Sequence, residues 1–136
     1  MKRKIIILGS TVIAISIIVA SIASNDNSTK ENTSPDIPLE ADVVMPTKVS
    51  RPGCDETDTC YIPSTITVAK GEPVVWVNED VAFHSVTSGI YDSPTGLFDS
   101  GHMDPYQSFS FTFDESGNYD YYCTLHPWMK GQVIVE

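Results

Sequence analysis

Residues 108–123, SFSFTFDESGNYDYYC, contain the clearest local indication of fold in this chain. Three phenylalanines alternate with serine and threonine, a period of two that is typical of a β-strand with one buried face. Residues 115–118 then supply the serine, glycine and asparagine of a turn, and residues 119–123 predict a second strand. The stretch therefore predicts two successive strands.

Short strands separated by turn residues continue on both sides of this stretch. On the C-terminal side, residues 132–135 predict a last strand. On the N-terminal side, three strands are predicted at residues 62–68, 74–77 and 82–87, and residues 91–105, rich in Gly, Pro, Asp and Ser, are predicted to be a loop. After Ala23 the sequence contains no segment with the period and length of a helix. We therefore predict an all-β fold, either a two-sheet sandwich or a barrel.

The chain of 136 residues is predicted to have three parts. Residues 1–23 join a basic start to an uncharged apolar run from residue 5 to residue 23, which suits either a cleaved signal peptide or an uncleaved membrane anchor. Both interpretations predict that the rest of the chain is exported. Residues 24–46 are polar and predict a flexible linker with N-glycosylation patterns at Asn27 and Asn32. Residues 47–136 are left as the folded domain.

The net charge of −10 bears on the class of partner. Binding to nucleic acid needs clustered lysine and arginine, so the composition argues against a nucleic-acid partner. An acidic exported domain is suited instead to basic protein partners.

The three cysteines divide into a pair and a single residue. Cys54 and Cys60 lie close together in RPGCDETDTCYIP, and in an exported protein this spacing predicts a disulfide. A zinc site would need four ligands, and no histidine or second cysteine pair lies nearby. Cys123 is left alone, and a free thiol in an oxidising compartment is oxidised unless something occupies it.

A set of potential metal ligands surrounds this single cysteine. Cys123, His126 and Met129 succeed one another at intervals of three on a predicted loop between strands. His84 lies on a separate predicted strand, and the ends of a sandwich bring such loops together. Two imidazoles, a thiolate and a weak thioether are the ligand set of electron-transfer copper, whereas methionine is a poor zinc ligand. The alternative interpretation is that each is an ordinary buried residue.

Three separate segments resemble the cupredoxins, the type 1 blue copper proteins. GNYDYYCTLHPWMKGQVIVE resembles the C-terminal copper loop of amicyanin and plastocyanin-like proteins, and its short Cys-x-x-His-x-x-Met spacing is most similar to the amicyanin version. IPSTITVAKGEPVVWVNEDVAFHSVTSG and FDSGHMDPYQSFSFTF resemble the N-terminal strands and the intervening strand and loop. The resemblance covers residues 50–136 and is greatest to plastocyanin-like proteins of ammonia-oxidising archaea.

The resemblance implies a Greek-key β-sandwich that binds one copper ion through His84, Cys123, His126 and axial Met129. One position departs from the pattern, because many cupredoxins have asparagine where this chain has Ser85. That asparagine ties the two ligand loops together and donates toward the cysteine sulfur. We expect the backbone N–H of Ser85 to keep the second role.

The function expected from this resemblance is single-electron transfer outside the cytoplasm rather than enzyme catalysis. Expected partners are a multicopper oxidase or a respiratory-chain complex, docking at His126, Pro127 and Trp128, with residues 5–23 as a membrane tether. Trp128 packed inward is the alternative for that side chain. A copper storage or delivery protein is a second hypothesis, hinted at only by His102 and Met103. A small-molecule redox enzyme is a third, if Met129 leaves the axial position open.

Overall fold

The computed structural model of the protein describes residues 40–136, in which eight β-strands and no helix occur. The predicted signal or anchor and most of the predicted linker lie outside the described residues. Within residues 40–136, accordingly, no helix is long and apolar enough to cross a membrane. The strands are β1 (Val43–Met45), β2 (Thr65–Val68), β3 (Pro73–Asn78), β4 (Thr87–Ile90), β5 (Ser93–Asp99), β6 (Ser108–Thr112), β7 (Gly117–Tyr122) and β8 (Lys130–Val135).

The strands form two sheets. One sheet has the order β1-β3-β6 and the other β2-β8-β7-β4-β5. The β1–β3 and β2–β8 pairs are parallel, and the remaining neighbours are antiparallel. The prediction of an all-β sandwich is confirmed. The two successive strands predicted from the opening stretch correspond to β6 and β7, which lie in different sheets.

Aromatic side chains from both sheets meet in the core. Trp76 of β3 is fully buried, and its ring lies 5.5 Å from Tyr121 of β7 and 5.8 Å from Phe109 of β6. Tyr121 also meets the buried ring of Tyr61 edge-on at 4.9 Å. These contacts join the two sheets directly, through large rings that supply much of the buried apolar area.

Two sequence predictions about strands were wrong. Residues 91–105 were predicted to be a loop, but β5 occupies Ser93–Asp99. This strand pairs with β4 at the sheet edge and is mostly exposed, so it lacks the alternation of a half-buried strand. Residues 82–87 were predicted to be a strand, but His84 makes only an isolated bridge with Met103, and β4 starts at Thr87.

The predicted linker of residues 24–46 was wrong at its C-terminal end. Val43 and Met45 are fully buried in β1, which pairs with β3, so ordered structure starts before residue 47. A three-residue strand is too short to show a period in the sequence.

Gly131 of β8 provides the space for the core ring of Tyr121. The two residues pair directly across β7 and β8, and a Cβ added at Gly131 would overlap that ring. The ring cannot retreat easily, because Tyr121 is buried against Tyr61 and Trp76. Any side chain at position 131 therefore displaces a core residue.

Replacing Gly131 by alanine is expected to lower the free energy of unfolding by about 1–3 kcal/mol, because the new methyl group overpacks the core. Urea denaturation of the two proteins measures this difference. Gln132→Ala on the same strand is the control. It removes only an exposed hydrogen bond to Asp120, and we expect a change below about 0.5 kcal/mol. Equal effects of the two substitutions would contradict this account of Gly131.

Candidate metal centre

The pairing of β4 with β7 brings two loops to one end of the five-stranded sheet. Thr87, the first residue of β4, pairs with Tyr122, the last residue of β7. His84 and Ser85 precede β4, and Cys123 comes directly after β7, so an antiparallel register places all three side by side. His126 and Met129 come next, in the turn that leads to β8.

Three ligand-type atoms converge at this end. Cys123 Sγ lies 3.8 Å from His84 Nδ1 and 3.6 Å from His126 Nδ1, and the two nitrogen atoms are 3.1 Å apart. His84 and Cys123 are buried, and His126 is partly buried. Among residues 40–136, these three are the one group of histidine, cysteine and acidic side chains with metal-site spacing.

The triangle of donor atoms fits a metal ion. A point equidistant from three corners with these separations lies about 2 Å from each, close to the distance between a metal ion and an imidazole nitrogen. The donors are two imidazoles and one thiol, with no carboxylate among them. Such a set suits copper or zinc and not magnesium or calcium.

Met129, the fourth residue of the predicted set, is fully buried. Its backbone N–H donates to His126 O at 2.9 Å, and its carbonyl accepts from Cys123 N at 3.1 Å. These two bonds close the turn of residues 123–129, so Met129 lies beside Cys123 in space. The thioether is thus kept out of water.

Asp80 is a functional residue that the sequence analysis missed. One of its oxygens lies 3.1 Å from His84 Nε2, and both residues are buried. A carboxylate accepts this hydrogen bond from Nε2–H, which leaves the Nδ1 lone pair of a neutral ring free toward Cys123 and His126. The available signal was an acidic residue four positions before the histidine, but acids are common in turns.

The ionisation of these groups depends on burial and hydrogen bonding. Burial raises the pKa of Asp80, but hydrogen bonds from the backbone of Lys48, the side chain of His84 and the backbones of Val81 and Ser50 outweigh it and lower that pKa to about 2. Burial lowers the pKa of His84, against the opposing effect of Asp80. Burial and the neighbouring His84 lower the pKa of His126. Neutral imidazoles are the form that binds metal.

Ser85 performs both tasks expected of the asparagine that it replaces. Its backbone N–H donates to Cys123 Sγ at 3.3 Å. Its side-chain oxygen accepts from Thr124 N at 2.8 Å and lies 3.0 Å from Thr124 Oγ1. The serine therefore ties the loop of His84 to the loop of Cys123 through its hydroxyl group.

The structure also places the three cysteines and the His102–Met103 pair that the sequence analysis singled out. Cys54 and Cys60 form the predicted disulfide, and Cys123 is free and buried. His102 is exposed, but Met103 is buried in the core and pairs with the backbone of His84. The hint of a second copper site at His102 and Met103 is therefore not supported, because the two side chains do not share one surface.

Trp128 is partly buried and packs against the core. Its Nε1–H donates to Val49 O at 3.0 Å, and its ring lies 5.3 Å from that of His126. Exposed apolar residues at this end come instead from both ligand loops: Val81, Phe83 and Leu125.

Comparison with known proteins agrees with this site. Residues 49–136 match the family described as copper binding proteins, plastocyanin/azurin family. The chain belongs to this family. Its relatives include amicyanin of Paracoccus versutus, 38% identical over 103 residues that make up 74% of this chain and 69% of that protein. Plastocyanin of Scenedesmus fuscus is 33% identical over 92 residues, 62% of this chain and 94% of that protein.

A solved structure of a cupredoxin confirms the fold. The purple cupredoxin from Nitrosopumilus maritimus superposes with a TM-score of 0.64 at 29% identity, over 71% of this chain and 99% of that one. The predicted resemblance to plastocyanin-like and amicyanin-like cupredoxins is confirmed by these matches.

Ser85→Ala is expected to lower the free energy of unfolding of the metal-free protein by about 1–3 kcal/mol, because it leaves the partly buried Thr124 N–H without its acceptor. Thermal or urea unfolding measures the effect. Ser110→Ala, on the exposed face of β6, is the matched control and should change stability by less than about 0.5 kcal/mol. A cost for Ser85→Ala no larger than that of the control would refute the bridging role.

Proposed function

We propose that this protein carries single electrons through one copper ion that His84, Cys123 and His126 would hold, with Met129 as a weak fourth ligand. The observation that carries the proposal is the triangle of two Nδ1 atoms and one Sγ, separated by 3.1 to 3.8 Å. Bound copper would supply the Cu(II)/Cu(I) couple, and this mixed nitrogen and sulfur set suits both oxidation states. Membership of the plastocyanin/azurin family supports the same assignment.

The chain contributes a site that is already organised. Asp80 orients His84, Ser85 N–H donates to the sulfur of Cys123, and the closed turn of residues 123–129 fixes the remaining donors. Ligands that are held in the same positions in the oxidised and the reduced protein move little when an electron arrives. This favours rapid electron transfer. Hydrogen bonding to the sulfur also lowers its donor strength and tunes the reduction potential.

Exposed apolar side chains on the two ligand loops are suited to brief contact with a redox partner. Val81 and Phe83 on the His84 loop are 79% and 54% exposed, and Leu125 on the Cys123 loop is 40% exposed. His126 and Pro127 lie between buried and exposed. A small apolar patch of this kind gives weak, short-lived complexes, as electron transfer requires. We propose a multicopper oxidase or a respiratory-chain complex as the partner class.

The proposed location is outside the cytoplasm. The Cys54–Cys60 disulfide supports it, since such bonds persist in oxidising compartments. A signal peptide, or a membrane tether through residues 5–23, remains a prediction from the sequence.

Two other functions have less support from the site. Copper storage or delivery would favour exposed clusters of methionine and histidine. Here Met103 is buried and His102 is exposed, so their side chains form no such cluster. Small-molecule redox chemistry needs an open coordination position, whereas Met129 lies fully buried beside Cys123. Electron transfer without bound substrate fits a closed site better.

The ligand set predicts the optical spectrum of the copper-loaded protein. An intense visible band from thiolate-to-copper charge transfer is expected, and Cys123→Ser should abolish it because a hydroxyl is no thiolate donor. Absorption and electron paramagnetic resonance spectra of the two proteins measure this. His102→Ala should leave the band unchanged, since His102 lies exposed outside the site. A folded, copper-loaded wild-type protein without the band would rule out the proposed function.

The apolar surface predicts a second measurable effect. Leu125→Ser should slow electron self-exchange between two copies of the protein by about fivefold to tenfold, because it removes an apolar contact at the point of encounter. Nuclear magnetic resonance line broadening in mixtures of Cu(I) and Cu(II) protein gives the rate. Leu97→Ser, a similarly exposed leucine on edge strand β5, is the control and should change the rate by less than about twofold. Equal slowing by both would argue against docking at this surface.

A further inference from the structure

One short backbone segment touches both ligand-bearing loops. Lys48 N and Ser50 N donate to the two carboxylate oxygens of Asp80, at 3.0 and 3.2 Å. Between them, Val49 O accepts from Trp128 Nε1 at 3.0 Å. Three consecutive residues, which we call the 48–50 strap, are thus bonded to two parts of the chain that are far apart in sequence.

Each residue that the strap holds is itself a neighbour of a proposed copper ligand. Asp80 holds His84 Nε2 at 3.1 Å, and the ring of Trp128 lies 5.3 Å from the ring of His126. Val49 and Asp80 are buried, and the hydrogen bonds that join the strap to Asp80 and Trp128 are partly buried. Hydrogen bonds to a charged carboxylate are among the stronger ones in proteins.

The geometry of the strap depends on one unusual backbone conformation. Lys48 has a φ of 76°, in the left-handed region that non-glycine residues rarely adopt. That conformation lets alternate N–H groups point to one side and grip an anion, as in a backbone nest. The Lys48 side chain is exposed and its backbone N–H makes the contact, so a substitution at this position acts through the backbone conformation.

The disulfide loop supports the strap from the other side. Cys54 Sγ lies 3.8 Å from Val49 O, and Cys60 Sγ lies 3.9 Å from Trp128 O. Tyr61, next to Cys60, donates its hydroxyl to Ser85 O at 2.7 Å. The covalent bond between Cys54 and Cys60 closes this loop, so its two ends hold the strap and the ligand loops together.

We propose that the 48–50 strap, anchored by the Cys54–Cys60 disulfide, positions His84 and His126 relative to each other and thereby controls copper retention. Lys48, Val49 and Ser50 act as positioning residues through their backbone atoms. Without the strap, Asp80 loses two donors and Trp128 loses its acceptor, and the partly exposed ring of His126 is free to turn outward. This inference rests on the proposed function, because it takes both histidines as ligands.

The first test is a pair of substitutions at one exposed position. Lys48→Val disfavours the left-handed backbone because valine is β-branched, whereas Lys48→Gly accepts it and keeps the N–H donor. Loss of Cu(I) to a soluble Cu(I) chelator is measured by stopped-flow absorption. We expect the release rate to rise about tenfold in Lys48→Val, and to stay within about twofold of wild type in Lys48→Gly and in Glu56→Gln, an exposed control on the disulfide loop.

A second test separates the contact of the strap with Asp80 from its contact with Trp128. Its spectra need no metal. Long-range proton–nitrogen correlation spectra of the metal-free protein, above the pKa of the imidazoles, report which ring nitrogen of His84 carries the proton. Wild type, Lys48→Gly and Trp128→Phe should show the Nε2–H form alone, and Lys48→Val a mixture. Trp128→Phe keeps an aromatic ring but loses the donor to Val49. It should therefore speed copper release without changing the tautomer of His84.

The outcomes distinguish the strap from the proposed function. The strap hypothesis is overturned if folded Lys48→Val releases copper at the wild-type rate, or if Lys48→Gly is as fast as Lys48→Val. If Lys48→Val does not fold, the Cys54→Ser/Cys60→Ser double variant replaces it, with the same tenfold rise expected and an unchanged rate overturning the hypothesis. Failure of the wild type to bind copper would overturn the proposed function, while the tautomer of His84 would still test the strap.

Discussion

The antiparallel pairing of Thr87 with Tyr122 is the constraint on which the site depends. It joins the start of β4 to the end of β7, so the residues that lead into one strand and the residue that leaves the other must lie side by side. The hydrogen bond from Ser85 N to Cys123 Sγ is a direct result. A shift of the register by one residue would turn every side chain of one strand to the opposite face and separate His84 from Cys123.

The buried polar groups of the site form a connected network. Asp80 accepts from two backbone N–H groups of the strap, from its neighbour Val81 and from His84. A buried carboxylate with so many donors is stable in its charged form, whereas an unpaired one would be costly. The network also orients the imidazole of His84, because Asp80 holds its Nε2. The Nδ1 of His84 therefore faces the Cys123 thiol in the metal-free protein. Stability and ligand geometry therefore come from the same hydrogen bonds.

The sequence predicted the site better than the strands around it. Cys123, His126 and Met129 lie within one turn, where spacing alone indicates shared direction, and the disulfide was predictable from the nearness of two cysteines. The sequence of β5 lacks a strand pattern because an exposed edge strand can contain proline and glycine without alternation. Asp80 and Val49 could not be found in the sequence, because nothing local distinguishes an acid in a turn from one that grips a backbone far away in the chain.

By itself, the sequence determined the all-β class, the chemistry of the donor set and the family, since these depend on residue type and local spacing. Only the tertiary structure decided which groups orient those donors. It showed that Ser85 links the ligand loops, that Trp128 packs inward against Val49, and that residues 48–50 lie between the two histidine-bearing segments. The physical reason is that hydrogen bonds between distant backbone and side-chain atoms depend on sheet register and loop path, which no short stretch of sequence encodes.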